Sequence, residues 1–394
     1  MANNNEQRSL AAGRERGFSL VELLVSVAIS TVILGTTIAA MLNAVRANDT
    51  AVLVTNMNNN LRTAMDLVTR DLLQVGQGLP TGRVVSIPNG PGATAVRRPG
   101  PPNTNLTWAL GTTDLSAVTP GPGLGPVINN VATDIFTTLA VDSAFERVPL
   151  LRIQTTSARI QGCPCPTSNP PGPGANLTNG DADDINVGDL IMFAKGAVTT
   201  LVQVTAVNGQ DLTFAAGDSL NLNQNLPFNA ALLPGGTATG TMAEVIGTDP
   251  TNLPNGTENL ASVAAYRVRM ITYYVDATTD PLRPRLVRRM GNGHPTNFNN
   301  ALGTAVAFDI EGFTISYDLA DGVNNPANVR FEGADLLDPG TCDPGPCSAN
   351  NIRKVNAVLS GRSRRALSNT GLFFRNSLSS QVSLRSLAFV DRYR

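Results

Sequence analysis

Arg16 to Arg46 reads RGFSLVELLVSVAISTVILGTTIAAMLNAVR. Between Glu22 and Arg46 lie 23 residues without a charge. A bilayer core needs ~20 apolar residues as a helix, so this stretch is long enough to span one. Arg8, Arg14 and Arg16 precede it. A cationic flank of this kind holds the N-terminus in the cytoplasm and sends the remainder across. No later segment is comparably apolar, so the expected topology is a single pass with a large exported region. A cleaved secretory signal has an apolar core of ~7–15 residues, shorter than this run. A plain signal anchor fits the length but leaves Glu22 unexplained. A carboxylate costs ~2.5–3.5 kcal/mol at the centre of a spanning helix, and less near the interface. Ser19 to Glu22 also reads as a capping box, with Ser19 as N-cap and Glu22 reaching back.

The run Arg16-Gly17-Phe18-Ser19-Leu20-Val21-Glu22-Leu23-Leu24-Val25 resembles the class III signal of type IV prepilins and pseudopilins. The resemblance implies cleavage by a prepilin peptidase between Gly17 and Phe18. It implies N-methylation of Phe18 and a role for Glu22, the fifth mature residue, in assembly with the N-terminus of an adjacent subunit. A buried carboxylate requires a partner of that sort. A glycine at the cut suits a protease that must approach the backbone closely. The implied partners are the prepilin peptidase, other major and minor pilins, and the inner membrane before assembly. The implied destination is a pilus or pseudopilus on the cell surface or in the periplasm.

Beyond Asp49 the pattern turns amphipathic. Val54, Met57, Leu61, Met65, Val68, Leu72 and Val75 recur every three or four residues, one face of a helix. Asn58, Asn59, Arg62, Asp66, Arg70 and Asp71 fall between them. Gly76, Gly78 and Pro80 end the pattern. With no proline from Phe18 to Leu79, one helix of about 60 residues is predicted; the alternative is a break near Ala47–Thr50. Arg70-Asp71-Leu72 with Gly76 is similar to the ending of this helix in PilW-type minor pilins and J-type pseudopilins.

The expected fold is α+β: a long N-terminal helix packed on an antiparallel β head. It divides into a leader at 1–17, a transmembrane or filament-core half at 18–46, an amphipathic half at 47–79, and a β-rich head at 80–394 with a candidate inserted β subdomain at 160–260. Leu150 to Ile160 alternates as a strand does. Residues 186–216 read as three short strands with turns at Ala194-Lys195-Gly196 and Asn208-Gly209. Strands are also predicted at VAAYRVRMITYYVD, PRLVRRM and AVAFDIEGFTISYDLADG, with an Arg-rich pair at the end. In outline this order is similar to the C-terminal part of PilW-type proteins.

The remaining composition excludes more than it assigns. There is one histidine, His294, and two lysines, Lys195 and Lys354, neither in a P-loop. No G-x-S-x-G or H-E-x-x-H motif occurs. The chain reads as an enzyme's substrate and not as an enzyme. Net charge is −1, so no overall field draws it to nucleic acid. Residues 261–394 nonetheless hold sixteen Lys/Arg against eleven Asp/Glu. Arg267, Arg269, Arg288, Arg289, Arg364 and Arg365 are candidate DNA contacts, set against solvated strand faces or head-to-tail contact between subunits. A tethered module that binds DNA or a surface ligand is the alternative from a different class.

Four cysteines stand as Cys163-Pro-Cys165 and Cys342-Asp-Pro-Gly-Pro-Cys347. In an exported chain disulfides are the default, and four cysteines allow three pairings. Cys342 to Cys347 closes a short loop easily, Cys163 to Cys165 is strained, and cross-pairing stays open. The spacing lacks the C-x2-C of a zinc knuckle. Asp181, Asp183 and Asp184, with Asn186 and Asp189, form an acidic loop whose oxygens suit calcium. The match to a twelve-residue calcium loop is poor, and a solvated turn is the simpler reading. No cofactor is expected otherwise.

Overall fold

The computed structural model describes residues 17, 19–79, 84–142, 150–160, 185–208, 211–226, 238–246, 263–290, 303–320, 326–332, 352–368 and 370–387. Helix α1 runs unbroken from Leu20 to Leu73, 54 residues and about 80 Å at 1.5 Å per residue. It passes through residues 47–50 without interruption. Ser19 precedes it in extended conformation, and Gln74 closes it. The helix stops about one turn before the glycines that were expected to end it. Gly76 and Gly78 then carry the chain through positive φ (73° and 72°). The Gly76 N–H donates to the Leu139 carbonyl (2.8 Å), and the Val141 N–H donates to the Gln77 carbonyl (2.9 Å). A Cβ on Gly78 would lie 2.8 Å from the Val141 Cβ. Glycine is required there both for its φ and for the close approach.

The head is built of antiparallel sheets. Its long central strand is β13 (Val263–Asp276). The first half of β13 pairs with β9 (Leu190–Lys195), the second half with β14 (Arg285–Met290), and the middle with β6 (Ile135–Val141). β10 (Val198–Gln203), β15 (Thr304–Phe308) and β3 (Val118–Gly121) complete seven strands. A second, four-stranded sheet orders β17 (Pro326–Glu332), β16 (Ile310–Ala320), β18 (Ile352–Arg362) and β19 (Arg375–Ser383). A third joins β11 (Ala206–Asn208), β12 (Asp211–Thr213), β8 (Ser157–Ile160) and β7 (Leu150–Gln154). Two-stranded ribbons form from β1 (Val84–Ser86) with β2 (Asp114–Ser116), and from β4 (Val127–Ile128) with β5 (Val131–Ala132). The short helix α2 covers Met242–Ile246.

The largest apolar core lies where these parts meet. Met57, Leu61, Ala64, Met65, Val68, Leu72 and Val75 enter it from the α1 side. Phe136, Ile271, Tyr273 and Val275 face them from the first sheet, and Phe313, Ile315, Tyr317, Val355, Ala357 and Leu359 from the second. Phe136 stacks on Tyr273 with centroids 5.2 Å apart and leans on Phe313 at 5.8 Å. The heptad-like spacing of the helix thus buries one stripe against two sheets at once.

Three local readings change. Leu150 to Ile160 is not one strand but a hairpin, turned at residues 155–156. The described residues of 186–216 give four strands, because the chain turns again after Gln203. The stretch AVAFDIEGFTISYDLADG divides at Asp309, whose φ of 59° swings the strand from the first sheet to the second. Alternation alone does not distinguish one long strand from two short ones. The candidate insert at 160–260 contributes β9 and β10 to the seven-stranded sheet and β11 and β12 to the third sheet. Its Phe193 and Val202 share a core with Val263 and Ala265 of β13.

Candidate assembly site

The first half of α1 touches almost nothing. Leu20, Val21, Leu24, Val32, Ile33, Leu34 and Met41 are each at least 59% exposed. Among the described residues this is the one helix long and apolar enough to cross a membrane. Ser26, Thr31, Thr36 and Thr37 do not break the apolar surface, because each hydroxyl donates back to a carbonyl three or four residues earlier. The helix therefore presents apolar groups all round, as a membrane span or a filament core requires.

Glu22 lies in the first turn, on this exposed stretch. The capping-box alternative is not formed: the Ser19 side chain makes no cap hydrogen bond. Among the described residues the Glu22 carboxylate has no partner. Gly17 lies two residues before the N-cap, and a Cβ built there would meet nothing within 4 Å. Neither packing nor backbone conformation in this fold demands glycine at that position. Phe18 and the leader at 1–16 lie outside the described residues.

The second half of α1 is fixed to the head by a polar cluster that the sequence pattern did not reveal. Asp71 falls between the apolar positions of the helix pattern, yet it is only 4% exposed. The Tyr273 hydroxyl donates to Asp71 Oδ2 (2.6 Å). Arg288 Nε donates to the same oxygen (2.5 Å), and its Nη2 donates to Oδ1 (3.3 Å). Burial, reinforced by the Asp71 charge, pushes the Tyr273 hydroxyl far above the ordinary phenol range, so it stays a donor. Burial alone would lower the Arg288 guanidinium, but the hydrogen bond to Asp71 and its charge raise it. One signal could have found Asp71. It sits three residues after Val68 and four before Val75, in phase with the buried stripe.

The other sequence candidates distribute as follows. Arg267 is 3% exposed and pairs with Asp142 (2.7 Å). Arg269 pairs with the same carboxylate (2.7 Å). Arg288 holds Asp71. These three are committed within the head, and the six arginines do not form one basic surface. Arg364 and Arg365 are exposed. Cys163, Cys165, Cys342 and Cys347 lie outside the described residues, as do Asp181, Asp183, Asp184 and His294. Asp189 is buried and accepts from the Asn186 N–H (2.9 Å). Among the described residues no group of three His, Cys, Asp or Glu side chains converges as a metal site.

Residues 13–38 match the family model described as the prokaryotic N-terminal methylation motif. The match places a type IV pilin-like prepilin signal over the exposed start of α1 and suggests a type IV pilin-like or pseudopilin subunit. No curated protein and no solved structure matches the chain. The motif is that of a structural subunit, and it implies dealings with a prepilin peptidase and with other pilins in general.

Proposed function

We propose that this chain is a minor, PilW-type subunit of a type IV pilus. In this reading a prepilin peptidase cuts after Gly17, Phe18 becomes the N-methylated first residue, and Glu22 pairs with the cationic N-terminus of a neighbouring subunit. The observation that carries the reading is Glu22, which among the described residues has no partner, on a helix half whose apolar surface the described head leaves uncovered. A charge in that setting costs free energy until an opposite charge meets it, so it selects the staggered packing in which the two ends coincide. Transfer from lipid to a bundle of like helices keeps the apolar surface out of water throughout. The size of the head favours a minor position, since an abundant subunit with so large a head would crowd the filament surface.

The test is substitution of Glu22 by Ala in the producing cell. The head should remain folded and the chain should remain in the membrane, while its recovery in sheared filaments falls to background. Undiminished incorporation of the Ala variant would overturn the assembly role. A J-type pseudopilin would pass the same test, with the protein recovered among secretion-system components instead of filaments.

A further inference from the structure

The β18–β19 hairpin descends along α1 toward the apolar half, one rung after another. Near its open end the Ser386 hydroxyl donates to the Val75 carbonyl. Lower down, a Cβ on Gly361 would sit 3.1 Å from Leu61, and Asn376 Nδ2 donates to Asn58 Oδ1 (3.0 Å). Lower still, Arg365 reaches Asp49 (3.8 Å). The helix partners therefore run 75, 61, 58, 49. The hairpin continues past the last strand pair: the Ser363 N–H donates to the Phe374 carbonyl (2.7 Å), and the Leu367 N–H donates to the Leu372 carbonyl (2.9 Å). Its stem is clamped by Glu311, which accepts from Arg362 Nη1 (3.1 Å) and Arg375 Nε (2.7 Å). The described residues of the tip, 363–368 and 370–374, are thus tied across the hairpin and braced at its stem.

Asp49 is three residues beyond Arg46, the first charge after the apolar run, or about 4.5 Å along the helix. The headgroup layer on one side of a bilayer is roughly 5–7 Å deep. The tip also has the composition of an interfacial contact. Arg364 and Arg365 are exposed, and Leu372 is 69% exposed although nothing in the head requires an apolar residue there. Cations at the headgroup level with an adjacent apolar side chain form the pairing that anionic lipid attracts.

We propose that the Arg364–Leu372 tip rests on the bilayer surface of the anchored subunit, with its two arginines on anionic phospholipid headgroups and Leu372 entering the interface. The contact makes a second foot beside the helix and fixes the tilt of the head before assembly. It rests on the reading of α1 as a membrane span.

The test uses the full-length chain reconstituted into vesicles of phosphatidylcholine and phosphatidylglycerol (3:1) that carry lipid brominated near the top of the acyl chain. Tryptophan is introduced singly as Leu372→Trp, Val45→Trp or Leu110→Trp; the native Trp108 is buried and supplies a constant background. Leu372→Trp should lose about half or more of its added emission to bromine, as Val45→Trp does, while Leu110→Trp keeps its own. Adding Arg364→Ala and Arg365→Ala should weaken the tip's association roughly thirtyfold, from ~1 kcal/mol for each cation at the surface, and abolish the quenching. Quenching at Val45→Trp without quenching at Leu372→Trp overturns the proposal and leaves the anchor standing. No quenching at either position removes the span reading and the proposal together. Quenching that survives loss of both arginines overturns the headgroup contact.

Discussion

Ile33 and Leu61 lie on the same helix 28 residues apart, and their surroundings are opposite. Ile33 is 59% exposed and Leu61 is 2% exposed. The N-terminal half of α1 has apolar side chains on every face and, among the described residues, no partner in the head. The C-terminal half has one apolar stripe and a carboxylate, Asp71, all buried against two sheets. One backbone thus carries two kinds of surface: one satisfied within the subunit, the other satisfied only by lipid or by other helices. The difference teaches that head stability and assembly can be perturbed separately by substitutions on a single element.

The largest effect on folding should come from Asp71→Ala. It leaves the half-buried Arg288 guanidinium and the buried Tyr273 hydroxyl without their acceptor, a loss of about 3–5 kcal/mol. Denaturant unfolding of the detergent-solubilised chain, followed by Trp108 fluorescence, measures it. A loss under 1 kcal/mol would show that the clamp between helix and head is not where the account puts it. Leu61→Ala should cost about 2–5 kcal/mol by the same measurement, since its site is closed on all sides and the cavity cannot collapse freely. Tyr273→Phe removes one hydrogen bond to a charged acceptor and should cost ~1.5–3 kcal/mol. Ile33→Ala should leave head unfolding within about ±0.5 kcal/mol, because its side chain has no contact to lose there. A clear destabilisation of the head by Ile33→Ala would erase the contrast between the two halves.

Acid sharpens the same contrast. Burial pushes the Asp276 carboxyl up, but hydrogen bonds from Thr279, Arg285 and Thr278 outweigh it and hold the group below its ordinary value. Glu311 behaves likewise through Arg375 and Arg362. A depressed folded pKa stabilises the fold at pH values above the unfolded pKa, ~4 for these groups, and that stability is lost as pH falls through the folded value. Thermal unfolding should therefore be level near neutral pH and fall below about pH 4. A head whose Tm rises on acidification would contradict these pairings.

The long helix was legible from its periods: a run without charge to Val45, then apolar spacings of three and four. β13 was legible as VAAYRVRMITYYVD, since a fourteen-residue β-rich run has few alternatives. What was not legible depended on partners distant in the chain. Asp71 looks like any surface acid until Tyr273 and Arg288, 202 and 217 residues later, close on it. The excess of arginine after residue 261 looked like a surface property, but Arg267, Arg269 and Arg288 each answer a carboxylate from an earlier element. The break at Asp309 was hidden for another reason. A single residue at positive φ leaves no trace in an alternating pattern. Gly17 and Glu22 stand out in the sequence through the signal motif alone; among the described residues a Cβ on Gly17 would meet nothing within 4 Å, and Glu22 lies in the exposed first turn of α1.

Mass spectrometry of the mature protein's N-terminus tests the central claim most directly. In cells with active prepilin peptidase, the first residue should be Phe18 bearing one methyl group on its amine, with residues 1–17 gone. Recovery of the exported protein with Arg16 and Gly17 still attached would contradict the account.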